Sequence, residues 1–249
     1  MVYDASKSGL NAVLYAPWFA LATVDTLLRS MDRGYWSADN DFGEMFLNFW
    51  MHEDLRRYCG DDLTHYYPAQ GSTKAVWEAW TRMAMSLRPS PYQAVQSGLR
   101  AKRVALGDRH DESNVFRWDR VILNLPGSED YDPSMPWVYR VRKDGTIAAD
   151  ILSFVDDNRE TAPTEEEAWE AASRLAKVCS WLGLQDAARK RREPRKVPGA
   201  WAGAVVFTTL DGVFKTVSQE RWNKAASHIK RLQELCDQGE HSEARSNGY

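Results

Sequence analysis

The run Ile151-Leu152-Ser153-Phe154-Val155-Asp156-Asp157 is mostly apolar until it ends in two adjacent carboxylates. Neighbouring strand residues point to opposite faces, so only a turn at the pair lets both carboxylates face one site. Like charges held there need a cation to keep them ionised. A divalent metal is the natural partner. A surface turn that happens to carry two aspartates is the plain alternative, and these residues alone do not choose between the two. A second acid-bearing segment lies upstream at residues 34–49, where a short, aromatic, β-prone run ends in Asp39 and a long apolar stretch follows Gly43. Two-metal phosphoryl chemistry needs three or so carboxylates from separate strands, converging on ions roughly 3.5–4 Å apart. Asp39, Asp156 and Asp157 form the candidate set.

The elements that must position these acids follow from pattern. Residues 138–141 and 147–155 flank Lys143-Asp144-Gly145 and read as a β-hairpin whose second strand leads into the acidic pair. Residues 20–31 read as a helix with Val24, Leu27, Leu28 and Met31 on one face. Residues 46–58 read as another, broken by a turn at Cys59-Gly60-Asp61-Asp62. Ser90-Pro91 starts a helix running to about Leu106-Gly107, with Val95, Leu99 and Arg103 at helical spacing. Residues 107–136, rich in charge and interrupted by prolines, form a surface excursion with a strand within 116–125. Thr164-Glu165-Glu166-Glu167 opens a helix with Trp169, Ala172, Leu175, Ala176, Cys179 and Leu182 inward, closed by Gly183. Ser218 opens the last helix, aligning Trp222, Ala225, Ile229, Leu232 and Cys236, and a frayed polar tail follows Gly239.

Composition narrows the class. With 249 residues, 43% of them hydrophobic, the chain can bury a core as one large domain or two small ones. The eleven tryptophans are read as core residues rather than base platforms. Cys59, Cys179 and Cys236 are odd in number, far apart and without histidines at ligand spacing, which argues against a zinc site or a disulfide framework. A reducing intracellular compartment, cytoplasmic or nuclear, is expected. No stretch approaches the roughly 20 apolar residues of a membrane span. The net charge of −3 leaves phosphate contacts to local basic runs, of which residues 189–196 and 100–103 are the candidates. Such a run also suits a solvated loop or a nuclear localisation signal.

Together these segments resemble the palm of a reverse transcriptase, over roughly residues 2 to 235. WSADNDFGEMF resembles the first catalytic motif, an aspartate four residues before a glycine, which favours Asp39 over Asp41. MSLRPSPYQAVQ resembles the second motif, FVDD the third, and residues 201–222 the primer-grip hairpin and the helix after it. The opening VYDASKSGLN and the later PWFALATVDTLLRSM resemble the last finger strand and the connector. GEMFLNF and LGLQDAARKRR bring it closer to retrotransposon enzymes of the DIRS or gypsy kind than to retroviral ones.

The resemblance implies an α+β fold: a polymerase palm, with an antiparallel sheet and helices on one face. Residues 1–33 would be a fingers remnant and connector, 34–200 the palm with its insertion at about 107–136, 201–238 the primer-grip hairpin and following helix, and 239–249 a flexible tail. It implies RNA-directed DNA polymerase activity by two-metal nucleotidyl transfer, with Mg²⁺ as cofactor and Mn²⁺ as substitute. Asp39 and Asp156 would bridge the ions, Asp157 assist, and Asn40 offer its backbone carbonyl. Phe42, Gly43, Glu44, Met85, Ser86, Arg88 and Ser90 would contact the nucleotide. Arg189, Lys190, Arg191, Arg192, Trp201 and Gly203 would contact nucleic acid. The implied partners are an RNA or DNA template with primer and deoxynucleoside triphosphates, with no membrane.

Two departures stand out. Glu44 occupies the position at which the family places an aromatic screen for the sugar 2′-hydroxyl, and Ser86 replaces the usual glycine of the second motif. The basic finger hairpin and the RNase H segment have no counterpart. The expectation is a fragment of a longer polyprotein, itself carrying RNase H and integrase or recombinase parts, with weak or no autonomous activity. A catalytically inactive or domesticated nucleic-acid-binding palm is the alternative, and an unrelated metal phosphodiesterase ranks last because the histidines are scattered.

Overall fold

The computed structural model describes residues 4–67 and 75–239. Val2 and Tyr3 of the opening segment, and the tail expected after Gly239, lie outside them. Gly9 in the left-handed region precedes α1 (Leu10–Val13), and Thr23 caps α2 (Val24–Leu28) through a reciprocal box with Thr26. β1 (Trp36–Asp41) is followed by a 3₁₀ turn at Met45–Asn48, then α3 (Glu53–Arg56) and a ribbon of β2 (Gly60–Asp62) with β3 (Trp77–Ala79). After α4 (Ser90–Leu106) comes a second ribbon, β4 (Arg120–Leu123) with β5 (Val138–Val141). β6 (Asp150–Phe154) and β7 (Asp157–Ala162) form a hairpin, followed by α5 (Glu165–Trp181) and β8 (Arg192–Arg195). β9 (Gly199–Trp201), β10 (Ala204–Thr208) and β11 (Val213–Thr216) form an antiparallel sheet, and α6 (Gln219–Asp237) ends the described chain.

The central sheet has the order β6-β7-β1-β8, every neighbour antiparallel. Small side chains on α4 (Ala94, Gly98, Ala101, Ala105) and α5 (Ala168, Ala171, Ala172) line the buried faces of the two helices. They form one core with Phe42, Met45, Ile151 and Leu175. Leu175, 1% exposed, anchors that core; cutting it to alanine would cost about 2–5 kcal/mol. The β9–β11 sheet docks through Trp201 and Val206 on Met31 and Leu152, with the apolar face of α2 against the same cluster. The Thr208 hydroxyl donates to the Tyr35 carbonyl at 2.8 Å, a second tie between the sheets.

Several expectations are corrected. Only the tip of the hairpin expected at 138–155 forms: Val141 bridges Ile147 and the turn closes on Arg142. Beyond it β5 pairs with β4 and β6 with β7, because an apolar alternating strand is satisfied equally by either partner. Residues 46–58 are not one helix. Phe49 and Met51 spend their backbone groups on Met83 and Thr81 across an extended stretch. The acidic pair at 61–62 lies in β2 rather than a turn, with Asp61 accepting from the Trp80 indole at 2.8 Å and Asp62 from Thr64. In α4 the buried stripe runs through Ala94, Val95, Gly98 and Ala101, leaving Leu99 46% exposed. Trp169 on α5 is exposed as well. On α6 Trp222 and Ile229 are 62% and 57% exposed, and Leu235 is its one buried residue.

Candidate active site

The hairpin between β6 and β7 is closed by the Phe154–Asp157 pair, leaving Val155 and Asp156 as its two turn residues. Val155 sits at φ 56°, a conformation that costs a β-branched residue about 1–3 kcal/mol. The turn is fastened to the end of β1, where the Phe42 amide donates to the Asp156 carbonyl at 3.1 Å. In the β1–β7 register Asp41 stands opposite Asp157. Three carboxylates, Asp41, Asp156 and Asp157, therefore meet where two strands and a turn end.

The segment after α5 closes this corner. Gly43 donates to the Gln185 carbonyl at 2.7 Å and Ala187 to the Asp41 carbonyl at 3.0 Å. A Cβ on Gly43 would approach the Gln185 side chain to 3.2 Å and the Ala187 amide to 3.4 Å, so the close crossing favours glycine there. A 3₁₀ turn at Ala188–Lys190 then carries the Lys190 ammonium to the Asp41 carboxylate, 2.6 Å away. The other Asp41 oxygen, Oδ1, is buried without a partner.

Electrostatics follow from one ammonium among three carboxylates. Burial, then the Asp156 and Asp41 charges, push Asp157 up to about 6. Burial, with Asp41 adding to it, also raises Asp156. The hydrogen bond to Asp41 raises Lys190 and keeps it charged. Among the described residues no group of three His, Cys, Asp or Glu side chains stands in a metal-holding arrangement.

Asp39 is elsewhere in chemical terms. It lies two residues before Asp41 on the same face of β1, but its carboxylate accepts from Arg159 Nε at 2.7 Å and Nη2 at 3.2 Å, and from Arg195. Two guanidiniums from the flanking strands β7 and β8 occupy it. Asn40 faces the opposite side, where its amide donates to the Ala172 carbonyl of α5 at 3.0 Å. The acid that joins Asp156 and Asp157 is thus Asp41, the rival set second by its spacing to Gly43.

A cavity of about 430 Å³ borders the acids, between the segment from Phe42 to Leu47 and that from Trp80 to Ser86, with Asp156 and Lys190 also in its wall. It brings together Phe42, Glu44, Met85 and Ser86 of the expected nucleotide contacts. Ser90 is fully buried and donates to the Ala84 carbonyl, so it braces the start of α4. Arg88 is absent from the lining; its amide is held by Asn11 Oδ1 at 2.8 Å. Ser86 Oγ accepts from the Ala5 amide at 3.3 Å, tying the N-terminal segment to this loop.

The expected nucleic-acid contacts divide. Lys190 belongs to the acid cluster, Arg191 pairs with Asp186, and Arg192 reaches the Ala200 carbonyl at 3.3 Å, leaving Arg189 exposed on the surface. Trp201, 4% exposed, lies over the Arg159 guanidinium at 5.1 Å. Gly203, at φ 76°, makes the turn into β10, and its carbonyl accepts from Arg221. Phe46, which the sequence reading did not single out, also lines the cavity, and Lys190 stands in the acid cluster rather than on an open basic run.

No family model matches the chain, and no curated protein matches it in sequence. Solved structures do match. The dRH form of the foamy viral protease-reverse transcriptase in complex with double-stranded DNA aligns at TM-score 0.56 and 13% identity, over 94% of this chain and 29% of that one. The same protein in complex with an RNA/DNA hybrid aligns at TM-score 0.57 and 13% identity, over 94% and 24%. A further complex with double-stranded DNA gives 0.56 and 14%, over 92% and 37%. The chain spans little more than a third of the matched proteins at most, and over that span the mixed helix and antiparallel-sheet architecture described above is reverse-transcriptase-like in fold.

Proposed function

We propose that this chain is the palm of an RNA-directed DNA polymerase of a retroelement, extending a primer 3′-hydroxyl with deoxynucleotides on a nucleic-acid template. The carrying observation is the meeting of Asp41, Asp156 and Asp157 at one corner of the sheet, with Asp156 and Lys190 in the wall of the nucleotide-sized cavity beside it. In this reading the palm occupies residues 34–200 and the β9–β11 sheet grips the primer. The matched structures, complexes with DNA or an RNA/DNA hybrid, support a nucleic-acid partner.

By donor chemistry the set would suit Mg²⁺ or Mn²⁺ once its three carboxylates, which do not stand in a metal-holding arrangement here, close on the ion. The set is all oxygen, it carries more negative charge than Lys190 balances, and Asp41 Oδ1 is buried without a partner. Asp41 and Asp156 would hold the metal, with Asp157 beside them. When bound, the metal supplies activation of the primer hydroxyl and neutralises the triphosphate. Lys190 orients Asp41 beforehand and is released toward the cavity, where it faces phosphate charge. Phe46, five residues after Asp41, takes the role of screening the sugar 2′-hydroxyl, and Glu44 is relieved of it. Met85 and Ser86 form the opposite wall against the base.

The test is primer extension on poly(rA)/oligo(dT) with Mg²⁺ or Mn²⁺, comparing the chain with its Asp156→Asn variant. Incorporation lost in the variant is expected; equal incorporation by both would sink the reading. A binding-only palm is the second reading, favoured by the Lys190 ammonium that already sits on Asp41. It requires template binding without extension under either metal.

A further inference from the structure

Asp39 is the single ion-pair partner, among the described residues, of both Arg159 and Arg195. One carboxylate thereby ties β7, β1 and β8 together across the sheet. Arg159 is 1% exposed, and the guanidinium that grips Asp39 on one side lies beneath the Trp201 ring on the other. Trp201 is the last residue of β9, and its ring joins Val206 of β10 in the cluster that docks the β9–β11 sheet on Leu152. The chain of contact therefore runs from the β9–β11 sheet through Trp201 and Arg159 to Asp39, two rungs, or about 7 Å, from the Asp41–Asp157 rung on the same strands.

We infer that Asp39 is a positioning residue: with Arg159 it fixes Trp201, and so the β9–β11 sheet, at a set height over the acids Asp41 and Asp157. The inference rests on the polymerase reading only in that this height places the primer terminus. The physics of the lock does not. A planar guanidinium satisfies a carboxylate edge-on while stacking face-on against an indole, which neither lysine nor a neutral side chain does as well. Removing the Asp39 charge leaves a guanidinium buried and uncompensated, which draws in water or expels the ring that covers it.

The experiment compares the full chain with Asp39→Asn, the double variant Asp39→Asn/Arg159→Gln, and Arg159→Lys, which keeps the charge and loses the guanidinium that lies over Trp201. Amide exchange of residues 199–208 reads the lock without reference to catalysis. Asp39→Asn and Arg159→Lys are expected to speed it by about tenfold or more, and the double variant to speed it at least as much, because it restores neither the guanidinium against Trp201 nor a partner for Arg195. Mn²⁺ affinity, measured without nucleic acid, should change by less than about tenfold in Asp39→Asn, because Asp39 touches no metal-holding residue. In primer extension the same variant should raise the KM for primer-template more than it lowers kcat. Loss of Mn²⁺ binding in Asp39→Asn to the degree caused by Asp41→Asn would overturn the inference, as would unchanged exchange in both Asp39→Asn and Arg159→Lys. If Asp39→Asn fails to fold, Arg159→Lys decides by the same exchange readout. A wild-type chain that never extends a primer would remove the polymerase reading and leave the exchange result to judge the lock.

Discussion

Asp39 and Asp41 stand two residues apart on β1 and face the same way, yet their surroundings are opposites. Around Asp39 two guanidiniums serve one carboxylate. Around Asp41 one ammonium serves three carboxylates, with Asp156 and Asp157 both held above the usual carboxylate range. The first neighbourhood is saturated with positive charge and the second is short of it. Strand, face and residue type are shared, so the ratio of cations to carboxylates is what distinguishes the two sites, and on the proposed reading it is what would let Asp41 rather than Asp39 take a divalent ion.

The comparison breaks most directly at the acids themselves. Asp41→Asn should abolish Mn²⁺ binding and lower primer extension by on the order of 10³-fold, with little change in unfolding temperature; Mn²⁺ titration and extension kinetics check both. The reverse pattern, with Asp41→Asn active and Asp39→Asn metal-free, would return the ligand role to Asp39.

Next in size is the saturated side. Arg159→Ala leaves Asp39 with Arg195 alone and removes the support beneath Trp201, so denaturant unfolding should show a loss of roughly 3–5 kcal/mol. A loss under about 1 kcal/mol would mean that the buried pair is replaceable by water and that the contrast between the two sites has no energetic weight.

How this contrast could be read in advance is instructive. The acidic turn at 156–157, the strand before it, and helices α4, α5 and α6 with their capping residues Thr164 and Ser218 were legible, because periodicity and caps are local signals. The choice within Asp39-Asn40-Asp41 was not. Residues two apart on a strand share a face, and only long-range register, with Arg159 opposite Asp39 and Asp157 opposite Asp41, tells them apart. In the basic run at 189–192 the charge is local, but the partners of Lys190 and Arg191, Asp41 and Asp186, are supplied by the fold. On α6 the apolar stripe was read correctly as a stripe, while which way it faces depends on packing that no periodicity encodes.

The back of the sheet offers an intermediate test. Glu160 is fully buried beside Asn40 on the helix side, and burial, then the Asp39 charge, push it up to about 8 against the weaker pull of its backbone and Asn40 contacts. An unfolded glutamate releases its proton near 4.5, so the folded chain holds more protons across the window from about 4.5 to about 8. Stability must therefore be fully present below that window and fall as pH rises through it, by about 5 kcal/mol in all and by about 2–3 kcal/mol between pH 6 and pH 9. Thermal unfolding at pH 6 and pH 9 should show this slope in the wild type and its flattening in Glu160→Gln. An equal slope in both would place the titrating group elsewhere and make the acid behind the sheet irrelevant to the charge ratio in front of it.

The smallest effect lies at Lys190, where the charge-poor site has its one cation. The Lys190 side chain is 53% exposed, so its pair with Asp41 is screened and worth no more than about 1 kcal/mol. That ammonium competes with a divalent ion for the same carboxylate. Lys190→Met should therefore tighten Mn²⁺ binding by up to about fivefold, the equivalent of that 1 kcal/mol, and the gain should shrink in high salt as the competing pair is screened anyway. Mn²⁺ titrations of both proteins at two ionic strengths measure it. Weaker binding in Lys190→Met would show that the lysine arranges the carboxylates rather than competing for them, and the site would then be built by its cation as much as the Asp39 site is by its two.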